Sequence, residues 1–364
     1  MKIRFWLKTV VVAVCVLGLT MPAFAKKSAQ KDNLVDVKTA WVTGQESFPV
    51  WLAKKQGWDK EKGMNIITTV YGSGNEALED FSVNNWAIGG LGAIPTLRGA
   101  KDGNMLVIAL ANDESDANAV MVRPGSPILN KKGVASSYPN VYGSAVDIRR
   151  KSFIVTPLSS SHYTLIKYLE VLGVSPREVD VKFIDQALGL LSFEHAKADA
   201  AVFWAPYTFM ASGKGYVTAS TAYDVNARLP IFIVVNKAYA EQYPEITKNF
   251  LAIYMRGIHW LLNAPRADVV KEMQTYYKDV FGLDYSETML DLNFNVFKLF
   301  NLAKQKELFA AGENGMSKVQ AWQESIAQFV LNYGSVHKSL EKNIIGSKYV
   351  VPTFINMIEE SDLK

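Results

Sequence analysis

Apolar and polar positions follow two rhythms along this chain. Short apolar, β-branched runs recur at Val37–Val42, Asn65–Tyr71, Ala87–Leu91, Met105–Ala111, Ala119–Arg123, Ile154–Thr156, Val179–Ile184, Ala200–Trp204 and Ile231–Asn236. The unbroken apolar runs at Met105–Ala111, Ile154–Thr156 and Ala200–Trp204 predict buried strands. Between them lie segments of helical spacing. Leu165, Ile166, Leu169 and Leu172 form one apolar stripe after the serines of Ser159–Ser161. From Pro244 onward the helical rhythm takes over, with Phe250, Ile253, Tyr254, Gly257, Ile258 and Leu261 on one face. Further helices are predicted at 266–280, 286–309 and 317–333, and a closing one at 354–360. Strands alternating with helices predict an α/β fold. The Gly-, Ser- and Tyr-rich stretch 126–143 reads as a surface insertion.

Three strand–turn–helix units carry small residues at their turns. The first turn is Thr43-Gly44-Gln45-Glu46-Ser47, the second Gly92-Ala93-Ile94-Pro95, and the third ends in Ser159-Ser160-Ser161 before His162 and Tyr163. Ligands of open α/β sheets bind outside the carboxyl ends of strands, where such turns collect. Serines at a helix start either cap the helix or, with its free N–H groups, hold an anion. Three such turns together favour a ligand. The expected anion clamp is Ser160, Ser161 and the Gly92-Ala93 amides. His162 either donates to the ligand or bonds a neighbouring carbonyl. Trp204, at a strand end before Ala205-Pro206, is a candidate wall, as is Trp41, for which core packing is the alternative. Gln45, Glu46, Ser47, Asp113, Glu114 and Asp116 lie at predicted cleft turns. A carboxylate there pairs with the ammonium of a zwitterionic ligand, or is a solvated loop charge.

Charge and cysteine use narrow the class. Lys2, Arg4 and Lys8 precede an apolar stretch at Val10–Leu19, and Ala23-Phe24-Ala25 fits a cleavage site. Residues 1–25 therefore read as an export signal, cleaved after Ala25, with 26–33 a polar tether. Removing three basic residues and no acidic ones from 39 and 35 leaves 36 against 35, a net charge of +1. Nothing here suggests nucleic acid. Cys15 is the only cysteine and lies in the signal, which excludes disulfides, thiolate chemistry and cysteine-zinc sites from the exported chain.

Catalytic patterns are missing. The histidines are His162, His195, His259 and His337, with no H-E-x-x-H spacing. Ser161 and His162 are adjacent, so their side chains diverge, and no G-x-S-x-G surrounds them. Gly72-Ser73-Gly74 lacks the P-loop lysine. The sequence implies no enzyme, no cofactor and no metal.

The runs TPLSSSHYTLIKYLEVLGVSPREVDVKFI, ADAAVFWAPYTFMASGKG and LPIFIVVNKAYAEQYPEITKNFL, preceded by VYGSGNEALEDFSVNNWAIGGLGAIPTL, resemble the solute-binding proteins of ABC importers. The similarity is to the taurine, alkanesulfonate and nitrate group and covers about Val37 to Leu251. Thiamine-precursor binders share the architecture. The resemblance implies a type II periplasmic binding protein fold with two lobes and a ligand cleft. Lobe one would take 37–115 and 229–364, lobe two 116–228. It implies a periplasmic monomer that captures a small anionic or zwitterionic solute, taurine or an aliphatic sulfonate foremost, and delivers it to permease and ATPase subunits. Nitrate or a pyrimidine is the alternative ligand, and a periplasmic sensor or enzyme the alternative class. Leu158 stands where many of those proteins carry glycine.

Overall fold

The structure, a computed structural model, describes residues 34–334 and 337–364. The export signal, its cleavage site, Cys15 and the tether expected at 26–33 lie outside these residues.

Ten strands build two mixed sheets. Strands β1 (Val35–Val42), β2 (Met64–Tyr71), β3 (Ile88–Gly92), β4 (Met105–Asp113) and β10 (Pro230–Asn236) form the first, in the order β2-β1-β3-β10-β4. Strands β5 (Asn118–Val122), β6 (Ser152–Val155), β7 (Asp180–Phe183), β8 (Ala200–Trp204) and β9 (Val217–Thr221) form the second, in the order β7-β6-β8-β5-β9. Each sheet has one antiparallel strand in fourth place: β10 against β3 and β4, β5 against β8 and β9. The reason is topological. The chain crosses to the second sheet after β4 and returns after β9, and the first strand after each crossing starts at the crossing end. It must run opposite to its neighbours. The carboxyl ends of β1, β3, β4, β6, β8 and β9 consequently all lie at the crossing.

The helices that matter for the site are α1 (Phe48–Gln56), α2 (Gly74–Asn84), α3 (Ala93–Ala100), α4 (Ser160–Val171), α5 (Gln186–Glu194), α6 (Tyr207–Gly213), α7 (Pro244–Asn263), α8 (Arg266–Phe281), α9 (Glu287–Val296), α10 (Leu302–Phe309) and α11 (Lys318–Tyr333). α7 carries the predicted stripe: Phe250, Ile253, Tyr254 and Ile258 are fully buried. Gly257 lets α7 approach α1, since a Cβ there would stand 2.7 Å from the Pro49 side chain.

Three readings are corrected. The single helix at 286–309 is two helices, α9 and α10. Between them the backbone of Lys298 bonds both ways with Asp113 (3.0 and 3.1 Å), and that pairing requires extended chain. β9 is a strand that periodicity missed, because VTAST carries little apolar signal. The stretch 126–143 is less detached than a surface insertion: Ile128 and Val141 are buried, and the Tyr142 N–H bonds the Ala219 carbonyl of β9 at 2.9 Å.

Candidate functional site

The turn after β1 is held from behind by the C-terminal helices. Tyr254 of α7 donates to the Glu46 carbonyl at 2.9 Å. Tyr276 of α8 donates to the Gly44 carbonyl and accepts from Ser47 Oγ at 2.6 Å. Tyr277 donates to Asn293 Oδ1 (3.1 Å), and Asn293 Nδ2 donates to Gln45 Oε1 (2.6 Å). Gln45, Glu46 and Ser47 are thereby all buried in a short 3₁₀ turn. The Glu46 carboxylate folds back over Gly44, where a Cβ would lie 2.3 Å from Oε2, so a side chain at 44 would displace the carboxylate. A Cβ on Gly90 of β3 would likewise press on the Trp41 ring (2.9 Å) and Glu46 Cγ (3.0 Å).

Glu114 meets this turn from the crossing segment. Its backbone N–H bonds the Leu229 carbonyl of the return crossing at 2.9 Å, which fixes its position between the sheets. Burial pushes its carboxyl up to about 8, the neighbouring Glu46 charge adds to the rise, and hydrogen bonds from Ser160 and Asn118 oppose it. Burial likewise raises Glu46 to about 7, against the pull of backbone groups at Glu46 and Val42. Two buried acids therefore share one site, and near neutral pH each is poised between its acid and its anion. Among the described residues no cation contributes to either shift. Asn118 Nδ2 donates to the Glu114 carbonyl (3.1 Å), and its Oδ1 is buried without a partner.

The second sheet supplies Ser160 and Trp204. Gln186 of α5 joins them: its Oε1 accepts the Trp204 N–H at 2.9 Å and its Nε2 donates to Thr156 Oγ1 at 3.0 Å. This buried glutamine ties the ends of β6 and β8 together at the crossing. Trp204 is 7% exposed, and Tyr207 begins α6 three residues later.

The other expected residues have protein partners. Ser161 is fully buried; its Oγ accepts the Thr156 N–H (3.1 Å) and shares a bond with Ser159 Oγ (3.0 Å), so it closes the strand end. His162 Nδ1 accepts the Leu158 N–H at 3.4 Å, and the ring packs edge-on to Phe183, Phe329 and Tyr333. That apolar surround pushes its pKa down to about 4, so the imidazole is neutral at physiological pH. Leu158 itself adopts φ 49°, the left-handed region that glycine enters without strain. Asp113 accepts from Ser115 and pairs with Arg228 at 2.9 Å, a clasp between the two crossings. Asp116 pairs with Lys298 at 2.9 Å. Trp41 is fully buried, bonded to Thr39 Oγ1 (2.8 Å) and parallel to the Tyr254 ring. Gly92 precedes α3, and the Ala93 carbonyl accepts from Gln323 of α11 at 3.2 Å. Among the described residues no group of three or more histidine, cysteine or acidic side chains is arranged to hold a metal ion.

The structure thus brings Glu46, Glu114 and Ser160 together with Asn118. Reading the sequence alone missed Asn118, Gln186, Asn293 and the tyrosines behind the turn. Tyr254 was visible only as part of a helix stripe, and nothing local marked the others.

The model of the NMT1-like family matches residues 30–274, well over half of the chain. The chain belongs to the NMT1-like family. Within that family frame, it is 24% identical over 273 residues to a Brachyspira hyodysenteriae protein named as an ABC transporter periplasmic binding protein, covering 74% of this chain and 77% of the relative. It is 25% identical over 219 residues to the taurine-binding periplasmic protein of Escherichia coli, covering 59% and 63%. Among solved structures, the alkanesulfonate-binding protein of Xanthomonas axonopodis pv. citri superposes with a TM-score of 0.66 at 16% identity, over 87% of this chain and 98% of the other. The periplasmic nitrate-binding protein of Synechocystis PCC 6803 gives 0.62 at 12%, over 91% and 87%. This NMT1-like chain therefore has the two-lobed α/β periplasmic binding protein fold, as its sequence led us to expect.

Proposed function

We propose that this chain is the solute-binding component of an ABC importer and that its solute carries an amine. The observation that carries the reading is the buried Glu46–Glu114 pair, which no cation among the described residues balances. A sulfonate or nitrate without an amine would bring a further negative group to two acids that are already partly ionised near neutral pH. An ammonium or amino group supplies the donors that two carboxylates need. Taurine joins an ammonium to a sulfonate, and the taurine-binding relative supports that choice over a plain alkanesulfonate. Ser160 and the Gly92-Ala93 amides remain the groups for the sulfonate end, and Trp204 the wall. Because Glu46 comes from the first sheet, Ser160 and Trp204 from the second and Glu114 from the crossing, a ligand touching all of them prefers the closed state. Lobe one would span 37–115 and 229–364 and lobe two 116–228. The protein works in the periplasm as a monomer, takes no cofactor, catalyses no reaction and hands its solute to a permease with its ATPase.

The test is thermal unfolding of residues 26–364 at pH 7.5 with taurine, ethanesulfonate, nitrate and an aminopyrimidine. A ligand at a hundred times its Kd stabilises by about 2.7 kcal/mol. Taurine is expected to shift the transition and ethanesulfonate to leave it unchanged. An equal shift with ethanesulfonate or nitrate sinks the amine reading. A shift with the aminopyrimidine alone keeps the acid pair and replaces taurine.

A further inference from the structure

A second cavity, of about 410 Å³, opens between α2 and α3 in the first sheet's half, and it shares no residue with the acid-pair site. Leu78, Phe81, Asn85, Asn104 and Asn236 line it, together with Glu79 and the Lys101–Asp102 ion pair (2.6 Å). Arg98 of α3 lines it. The guanidinium is only partly exposed, and burial lowers its pKa. Among the described residues it has no ion pair; Glu79 in the same cavity acts on it only beyond the 4.0 Å reach of one. Its one side-chain partner is the Asn75 carbonyl oxygen, which accepts from Nη1. Asn75 is held in turn by its own Nδ2, which donates to the Pro157 carbonyl at 2.7 Å.

An arginine in this state is costly. A half-desolvated guanidinium normally finds a carboxylate, because a neutral amide oxygen offsets little of its lost hydration. The remaining N–H groups form a planar fork that suits two oxygens of one oxyanion. Amides of Asn85, Asn104 and Asn236 supply further donors, and the volume lies within the usual small-molecule range of roughly 300–1,000 Å³. We propose that this cavity is a second ligand site, in which Arg98 binds the phosphate or carboxylate group of a small molecule whose apolar part lies against Leu78 and Phe81.

The test is thermal unfolding of the exported chain, without solute, against inorganic phosphate and against succinate. Sodium chloride at matched ionic strength is the control. The expected result is a saturable rise in Tm with phosphate, succinate or both, and the more effective anion identifies the oxyanion class. Arg98→Gln is expected to lose the response. Asn75→Asp supplies an internal carboxylate to Arg98 at the first turn of α2, where acidic residues are favoured. It gives up the bond to the Pro157 carbonyl and gains an ion pair with Arg98, so it is expected to fold with a Tm in chloride at or somewhat below that of the wild type and to lose the response too. No saturable rise in the wild type with either anion, or an unchanged rise in Arg98→Gln, overturns the proposal.

Discussion

Replacing Glu114 by glutamine tests the acid pair directly. In the folded chain its carboxyl titrates at about 8, against 4.5 for a free group. A group whose folded pKa is raised contributes stability below its unfolded pKa and loses it as pH rises through the folded value. At pH 7 the folded state keeps this proton and the unfolded state has released it. The gap of 2.5 pH units corresponds to roughly 3 kcal/mol lost relative to pH below 4.5, at 1.36 kcal/mol per unit. Above pH 8 the loss levels off near 5 kcal/mol, an upper bound because opening of the site admits water. Glutamine has nearly the same shape and no charge. Its Oε1 keeps an acceptor for Ser160. It also removes the charge that repels Glu46. Urea unfolding of both proteins from pH 5 to 9 is the assay. The wild type is expected to lose stability steadily toward pH 8, and Glu114→Gln to show a slope smaller by about 1.4 kcal/mol per pH unit, one proton's worth. Parallel curves for the two proteins would refute a proton held on Glu114.

Other outcomes follow from the same geometry. If an ammonium binds between Glu46 and Glu114 it must displace protons, so taurine affinity measured by calorimetry is expected to rise between pH 6 and 8.5, at most about tenfold per unit for each proton released. His162, lowered to about 4, acts in the opposite sense: stability is lost as pH falls from 6.5 toward 4, and His162→Phe is expected to remove that loss in acid unfolding curves. Gln186→Ala leaves the buried Trp204 N–H without its acceptor, and is expected to cost about 1–3 kcal/mol in urea unfolding and to weaken solute binding. Asp113→Ala leaves Arg228 and the Ser115 N–H unpaired at the crossing; a loss of about 2 kcal/mol is expected, and most of it remains in Arg228→Ala/Asp113→Ala if the Ser115 bonds matter more than the half-exposed arginine.

Local pattern alone determined much of this protein. Nine of its strands announced themselves by short apolar or β-branched runs, and the turns at Gly44–Ser47, Gly92–Ala93 and Ser159–Ser161 by their small residues. Such signals are legible because strand burial, turn conformation and helix starts depend on residues a few positions apart. Which turn residues face a ligand is another matter. Ser160 and Ser161 are neighbours of the same type, yet one meets Glu114 and the other closes its own strand end. Glu46, Asp113, Glu114 and Asp116 looked alike in sequence. The fold gave Asp113 an arginine and Asp116 a lysine, and left Glu46 and Glu114 buried together. The residues that hold the first turn in place, Tyr254, Tyr276 and Asn293, come from 208 to 248 positions away. Their roles exist only once two sheets and the C-terminal helices have packed, because desolvation and charge proximity are properties of the assembled interior and leave no periodic trace along the chain.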